Sequence, residues 1–336
     1  MPRLVVKKNY KILILHELEI IRKGCIANQD QWRGRAYSKA MESIKDLDKI
    51  YSLEDIKELE FIGKSIQEKI KDIITNGFSR HARAIEQDPN ITFINEVIKI
   101  NGIGPAKAKK LIESGVNSIQ LLQTRHDLLS SKQILGFRHY IQFSKKIPRD
   151  EMDKHHEFLK IMSDNRIIIT GSYRRGKSES GDIDVLFRSE KDLPEGGVPS
   201  DFREFIELLK HKNYIIDDIS YGPIKYMGYC KIDNYTRRID IMYCSKNTYP
   251  FALMYFTGSA DFNTHMRSIF SQKKLRLNEH GIFTRDGIKI SSDGFNEEND
   301  IFKLLKLPYI KPKDRSKDTL QKLLTRKKQK LLIIRK

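Results

Sequence analysis

The chain has 336 residues and carries 62 Lys and Arg against 44 Asp and Glu, a net charge of +18, with 39% apolar residues that include 16 Phe and 14 Tyr. That apolar content excludes a wholly disordered chain, and no apolar run reaches the 18 or so residues of a membrane span. The length suggests two or three folding units, and the charge predicts a polyanionic partner, most often nucleic acid, with ribosomal, chromatin and enzyme classes all open. The amino terminus lacks a small-residue cleavage site, so no secretion is expected. Three scattered cysteines, Cys25, Cys230 and Cys244, fit a reducing compartment and neither a disulfide scaffold nor a Cys-rich zinc site.

The first 145 or so residues read as helices. Apolar positions recur at spacings of three and four in Ile12–Ile21, Ala36–Leu47, Leu53–Leu59 and Ile66–Ile74, with glycine breaks after them. One pattern occurs twice. Leu59-Glu60-Phe61-Ile62-Gly63-Lys64-Ser65-Ile66 is echoed by Ile100-Asn101-Gly102-Ile103-Gly104-Pro105-Ala106-Lys107, and a basic helix follows each, ending in Asn76-Gly77 or Ser114-Gly115. Glycine lets the backbone turn sharply and come close to another backbone, and helix-start amides bind phosphate. Both copies resemble the helix-hairpin-helix motif, which grips DNA by its phosphates. The second, with Gly102 and Gly104, fits better, because the first lacks a glycine at Phe61. The resemblance implies a monovalent cation on the hairpin carbonyls of Ile98, Ile100 and Ile103, and more weakly of Lys57, Leu59 and Ile62.

From Ile167 the texture becomes β-rich: Ile167–Thr170, Ile183–Phe187 and Arg238–Met242 read as strands, and a boundary falls near Ile147-Pro148. Gly171-Ser172-Tyr173-Arg174-Arg175-Gly176 follows the first strand, and Ser180-Gly181-Asp182-Ile183-Asp184 leads into the second. Alternation along a strand puts Asp182 and Asp184 on one face. Two close carboxylates both stay ionised only beside a cation, and hard oxygen ligands suit Mg²⁺ or Mn²⁺. Asp240 adds a third carboxylate if its strand pairs alongside, which matches two-metal phosphoryl chemistry. Upstream, the Gly171-Ser172 amides, the Ser172 hydroxyl and the Arg175 fork suit phosphate oxygens, and Ser180-Gly181 offers a second close approach. This combination resembles the nucleotidyltransferase signature.

Tyr255-Phe256-Thr257-Gly258-Ser259, then Phe262-Asn263 and Met266-Arg267, narrow the resemblance. With GSYRRG, SGDIDVL and RRIDI, they closely resemble the family X DNA polymerases, above all the beta-type members, from Trp32-Arg33 to Asp314-Arg315-Ser316. The resemblance implies Asp182, Asp184 and Asp240 as ligands of two Mg²⁺ ions (Mn²⁺ substituting), with Asp240 helping to activate the primer hydroxyl. Ser172, Arg175, Ser180 and Gly181 would hold the triphosphate. Tyr255, Phe256 and Gly258 would line the sugar pocket, and Asn263 and Arg267 would face the minor-groove side of the nascent pair. Arg238 and Lys225 would contact DNA. Terminal transferases of the family carry Gly-Trp where this chain has Tyr255-Phe256, which implies template direction. Three positions depart from the beta-type pattern: Ala260 for an acidic residue, Met242 for an arginine, and Lys146 for an arginine near the triphosphate.

Trp32-Arg33-Gly34-Arg35-Ala36-Tyr37 resembles the opening of the family's amino-terminal domain, which binds the 5′-phosphate across a gap and in several members is a 5′-deoxyribose phosphate lyase. Lys69 matches the nucleophilic lysine, and Lys49, Lys64, Arg80 and His81 would help to form the phosphate pocket. Ser65 and Asp48 depart from the family there. The last twenty residues hold eight Lys and Arg and one Asp; they suit an import signal, a DNA contact or a partner helix, and equally a frayed end.

The expected fold is α+β and multi-domain. Residues 1–84 form a helical gap-phosphate and lyase-like domain, and 85–146 a helical DNA-binding subdomain. Residues 147–246 form a mixed-sheet palm, 247–316 a nucleotide-selecting subdomain, and 317–336 a basic tail. The expected function is short-gap filling in base excision repair on gapped or nicked duplex DNA with dNTPs. Other expectations are a monomer, a repair partner such as a ligase, no membrane, and a nuclear location in a eukaryotic cell. Template-independent nucleotidyl transfer and a non-catalytic gap-binding scaffold are the competing readings.

Overall fold

The computed structural model describes residues 8–143, 145–190 and 199–316, with 319–320 and 323–324 beyond them; the basic run Arg326–Lys330 lies outside the described residues. The chain divides into two compact units, residues 1–140 and 141–336.

The first unit is helical: α1 (Lys11–Ala27), α2 (Gln31–Lys45), α3 (Lys64–Asn76), α4 (Arg80–Gln87), α5 (Pro89–Val97), α6 (Pro105–Glu113), α7 (Ile119–Thr124) and α8, which starts at Ser131. Its start signals are chemical. Asp30, Ser79, Asp88 and Ser118 cap α2, α4, α5 and α7 through their side chains, and Pro follows the cap in α5 and α6. Apolar faces at helical spacing, among them Ile14, Leu18 and Ile21 of α1 and Ile66, Ile70 and Ile73 of α3, merge into one core that extends to Leu129. The helix expected over Leu53–Leu59 is only a single 3₁₀ turn, Leu53–Ile56. Asp55 accepts from the Tyr51 and Ser52 amides and closes the turn locally, and Leu59–Phe61 must then bend into the first hairpin.

The second unit is built on a mixed sheet. In chain order come β1 (Ile147–Pro148), α9 (Arg149–Met162), β2 (Ile167–Ile169), α10 (Gly171–Arg174), β3 (Glu179–Ser180), β4 (Ile183–Ser189), α11 (Ser200–His211), β5 (Ile215–Tyr221), β6 (Lys225–Ile232) and β7 (Tyr235–Ser245). The sheet order is β2-β4-β7-β6-β5; only β4 and β7 run parallel, and β1 pairs separately with β3. One face of this sheet is covered by α9 and α11, whose Met152, Leu159, Phe202, Phe205 and Ile206 enter its core; on the other, Leu186 and Cys244 pack with Ala252 and Leu253. A separate core follows, from α12 (Tyr249–Thr257), α13 (Ala260–Gln272), the hairpin β8 (Leu275–Asn278) and β9 (Gly281–Thr284), and α14 (Glu298–Leu304). Leu320, from the stretch expected as a basic tail, is fully buried in that core. The architecture is α+β, with a helical amino-terminal unit. No helix among the described residues is long and apolar enough to cross a membrane.

Candidate active site

The parallel register of β4 on β7 sets Asp184 directly opposite Asp240. Asp182, in the bend just before β4, lines the same cavity as Asp184. Asp184 is the most constrained of the three. Burial, then the neighbouring charges of Asp182 and Asp240, push its carboxyl up to about 7. Burial likewise raises Asp182. Asp240 instead meets cations: Arg238 forks onto it with both contacts at 3.1 Å, and Lys225 Nζ lies 3.0 Å away. As they stand, no three His, Cys, Asp or Glu side chains among the described residues are gathered closely enough to hold a metal ion. The donor set nevertheless fits hard divalent cations, because buried carboxylates that raise one another's protonation are the environment a cation relieves.

The loop of residues 171–176 abuts this cluster. Gly171 takes φ +55, and a β-carbon there would stand 2.3 Å from Asp184 Oδ2, so only glycine fits. Thr170 donates from its amide to the Asp184 carbonyl at 2.7 Å, which ties the entry of the loop to the carboxylate strand. Ser172 Oγ donates to Ser180 Oγ at 2.9 Å, so the two serines expected on the triphosphate sit side by side. Gly181 lies beside Lys146, whose Nζ would be 3.4 Å from an added β-carbon. Arg175 donates to the Thr257 carbonyl. Its neighbour Arg174 forks onto Glu298 at 3.0 and 2.7 Å, and Arg315 reaches the same carboxylate at 2.8 Å. Burial opposes the charge of Glu298, yet the two arginines hold its carboxyl below the usual range.

One cavity of about 380 Å³ collects Gly171, Ser172, Arg175, Asp182 and Asp184 with Tyr255, Phe256, Gly258, Asn263 and Arg267, and adds Ala260 and Thr264. Tyr255 and Phe256 meet edge to face, with centroids 5.2 Å apart, and Asn263 donates to the Tyr255 carbonyl at 2.6 Å. Ser180, Gly181, Arg238, Lys225 and Asp240 border this group without lining the cavity.

In the first unit Lys69 donates to Ser65 Oγ at 3.0 Å and lines a cleft of about 520 Å³ with Lys71, Asp72, Arg80 and His81. Burial, then the charges of Lys69 and Arg33, lower the His81 pKa, which favours its neutral imidazole. Lys64 lines a different cleft, with Arg33, Tyr37 and Phe61, and Lys49 is exposed outside both. The two hairpins share a backbone. Gly102 has φ +86 and Phe61, in the corresponding place, φ +66, so Phe61 adopts the glycine conformation. Gly63 and Gly104 cap α3 and α6 with open space around them, so no internal clash requires a glycine there. Of the carbonyls expected on a cation, that of Ile62 accepts from Gln67 Nε2 and that of Ile100 from the Ile103 amide, each keeping a second lone pair.

Comparison with known proteins runs along nearly the whole chain. Residues 10–79 match a helix-hairpin-helix domain and 95–144 the fingers domain of DNA polymerase lambda. Residues 146–246 match the DNA polymerase beta palm and 252–316 the DNA polymerase beta thumb. In chain order these four matches make the chain similar to the family X DNA polymerases from residue 10 to residue 316. It is 28% identical to the DNA polymerase lambda of Rattus norvegicus over 91% of this chain and 56% of that one, and 28% identical to that of Arabidopsis thaliana over 84% and 58%. The DNA nucleotidylexotransferase of Gallus gallus is 24% identical over 79% of this chain and 59% of its own. The chain thus spans little more than half the length of these curated relatives.

The family X signatures carry the strand carboxylates and the loop. They miss Thr264, which adjoins Asn263 but is not one of the quoted signature residues, and the ties of Arg174 to Glu298 and Arg149 to Tyr173, whose partners lie far apart in the chain.

Proposed function

We propose that this chain is a template-directed DNA polymerase that fills short gaps in duplex DNA during repair. The observation that carries this reading is the opposition of Asp184 and Asp240 on β4 and β7 beside the Ser172–Ser180 cradle and the Tyr255-Phe256 pocket. Asp182, Asp184 and Asp240 would hold two Mg²⁺ ions. Bound there, such ions stabilise charge on the transferring phosphate and favour the primer 3′-alkoxide. With its proton passed to Asp240, the 3′-oxygen bonds to the α-phosphorus of the dNTP as the bond to the bridging oxygen breaks and pyrophosphate leaves. Arg175, Ser172 and Ser180 bind the phosphate oxygens; Tyr255, Phe256 and Gly258 take the sugar; Asn263 and Arg267 reach the nascent pair. Arg238 and Lys225 are the DNA contacts beside Asp240. The hairpins at Gly63 and Gly104 grip the DNA backbone, with a monovalent cation on their carbonyls. Lys69, with His81 in its cleft, is the amine for a 5′-deoxyribose phosphate lyase, which proceeds through a Schiff base on the sugar aldehyde and β-elimination of the DNA phosphate. A ligase would then act on the product, and a eukaryotic source would place the chain in the nucleus as a monomer.

The test is extension of a one-nucleotide gap bearing a 5′-phosphate, each dNTP offered singly with Mg²⁺. Only the templated base is expected to enter, and faster with the 5′-phosphate. Asp240→Ala is expected to lower incorporation by at least about a thousandfold with DNA affinity retained. Lys69→Ala is expected to stop borohydride trapping on a 5′-abasic end. Untemplated addition would move the reading to a transferase, and tight binding without incorporation in Mg²⁺ or Mn²⁺ to a scaffold.

A further inference from the structure

The two arms of the phosphate cradle are short. Ser172 stands on a single helical turn, α10, and Ser180 ends a two-residue strand, β3. Elements this small do not fix their own spacing. The segment Ile147-Pro148-Arg149 joins them. Its backbone pairs as β1 with β3, Ile147 opposite Ser180, and so holds one arm. The Arg149 side chain holds the other: Nη1 donates to the Tyr173 carbonyl at 2.7 Å, and the guanidinium lies 3.8 Å from the centroid of the Tyr173 ring. Asp153, one turn along α9, locks the clasp. It accepts from the Tyr173 hydroxyl at 2.6 Å and lies 3.5 Å from Arg149 Nε. Tyr173 is the residue after Ser172, and its carbonyl also accepts from the Gly176 amide that closes the loop.

We propose that Arg149 is a positioning residue for the triphosphate: it sets the separation of Ser172 and Ser180 and the aim of the α10 amides without touching the nucleotide. The proposal rests on the reading of this cradle as the dNTP site. Arg149 is not part of the hydrophobic core. That duty on α9 falls to Met152 and Leu159, both buried, whereas the Arg149 side chain is 41% exposed. Its removal therefore leaves no internal cavity and the fold intact.

The experiment measures binding of a non-hydrolysable dNTP analogue, with Mg²⁺, to the complex of the full chain and gapped DNA, alongside single-nucleotide kinetics. Arg149→Ala is expected to weaken nucleotide binding and raise KM by about tenfold, the worth of a charge-assisted hydrogen bond, while kcat, DNA affinity and Tm stay near wild type. Arg149→Lys, which keeps a donor and a cation over the ring, is expected to recover most of the loss. In the double variant with Ser172→Ala the combined loss should fall short of the product of the two single losses, because Arg149 acts through that arm. An unchanged nucleotide affinity in Arg149→Ala, a parallel fall of DNA affinity and Tm, or fully multiplicative losses would each overturn the proposal. A wild-type complex that does not bind the analogue overturns the nucleotide reading itself.

Discussion

Asp184 is a carboxyl whose burial and two acidic neighbours favour its protonated form at neutral pH. Its pKa in the fold, about 7, lies above that in the unfolded chain. The folded state therefore holds this proton more tightly, an advantage that is full below about pH 4 and lost as pH rises towards 7. At pH 8, without divalent ions, the ionised group is a burden on the fold. Asp184→Asn removes it, so the metal-free variant is expected to be more stable than wild type by about 1–3 kcal/mol at pH 8 and to lose nearly all incorporation. Denaturant melts in chelator at pH 4 to 8 check this, and parallel pH curves for the two proteins would refute it. The residue scale also shows where sequence reading stops. The Asp182-Ile183-Asp184 spacing is enough to pair the two carboxylates, and a Gly-Ser after a strand marks the loop. The Arg149 contact spans 24 residues and the Arg174–Glu298 contact 124, and no local period reports either.

At the scale of elements, the second hairpin is held in shape by α8. Gln133 donates from Nε2 to the Gly102 carbonyl at 2.9 Å, and Gly136 packs so closely that an added β-carbon would lie 2.3 Å from the Asn101 carbonyl oxygen. Gly136→Ala must displace the hairpin or the helix. It is expected to cost about 1–3 kcal/mol, as overpacking does, and to weaken gapped-DNA binding several-fold; unaltered melting and binding would show that the contact gives way freely. The repeat was legible because glycine spacing and basic helices recur. The conformation of Phe61 was not, since a non-glycine residue at positive φ leaves no mark in the sequence. Nor was the end of the Leu53 helix, which Asp55 decides through backbone contacts that an apolar period does not register.

Over the whole molecule the charge is uneven. Residues 1–140 carry 24 Lys and Arg against 17 Asp and Glu, residues 141–300 carry 25 of each, and residues 301–336 carry 13 against 2. The stretch that contains the carboxylate cluster and most of the cavity is neutral, so long-range attraction of DNA is exerted by its flanks. Gapped-DNA affinity is accordingly expected to fall by at least about tenfold between 50 and 200 mM salt; binding isotherms across that range check it, and a flat response would rule out phosphate contacts as the main grip. The class of fold followed from the change of texture near Ile147, where helical periods give way to short β-rich runs. The strand order did not, because β7 enters between β4 and β6 through pairings that no local pattern encodes.

That insertion bears on how the protein comes into being. A chain leaving the ribosome already has its phosphate loop and two carboxylates by residue 184, but the third arrives only when β7 slots beside β4. Under the proposed mechanism, a copy that stops before residue 240 holds two of the three carboxylates and is expected not to extend a primer.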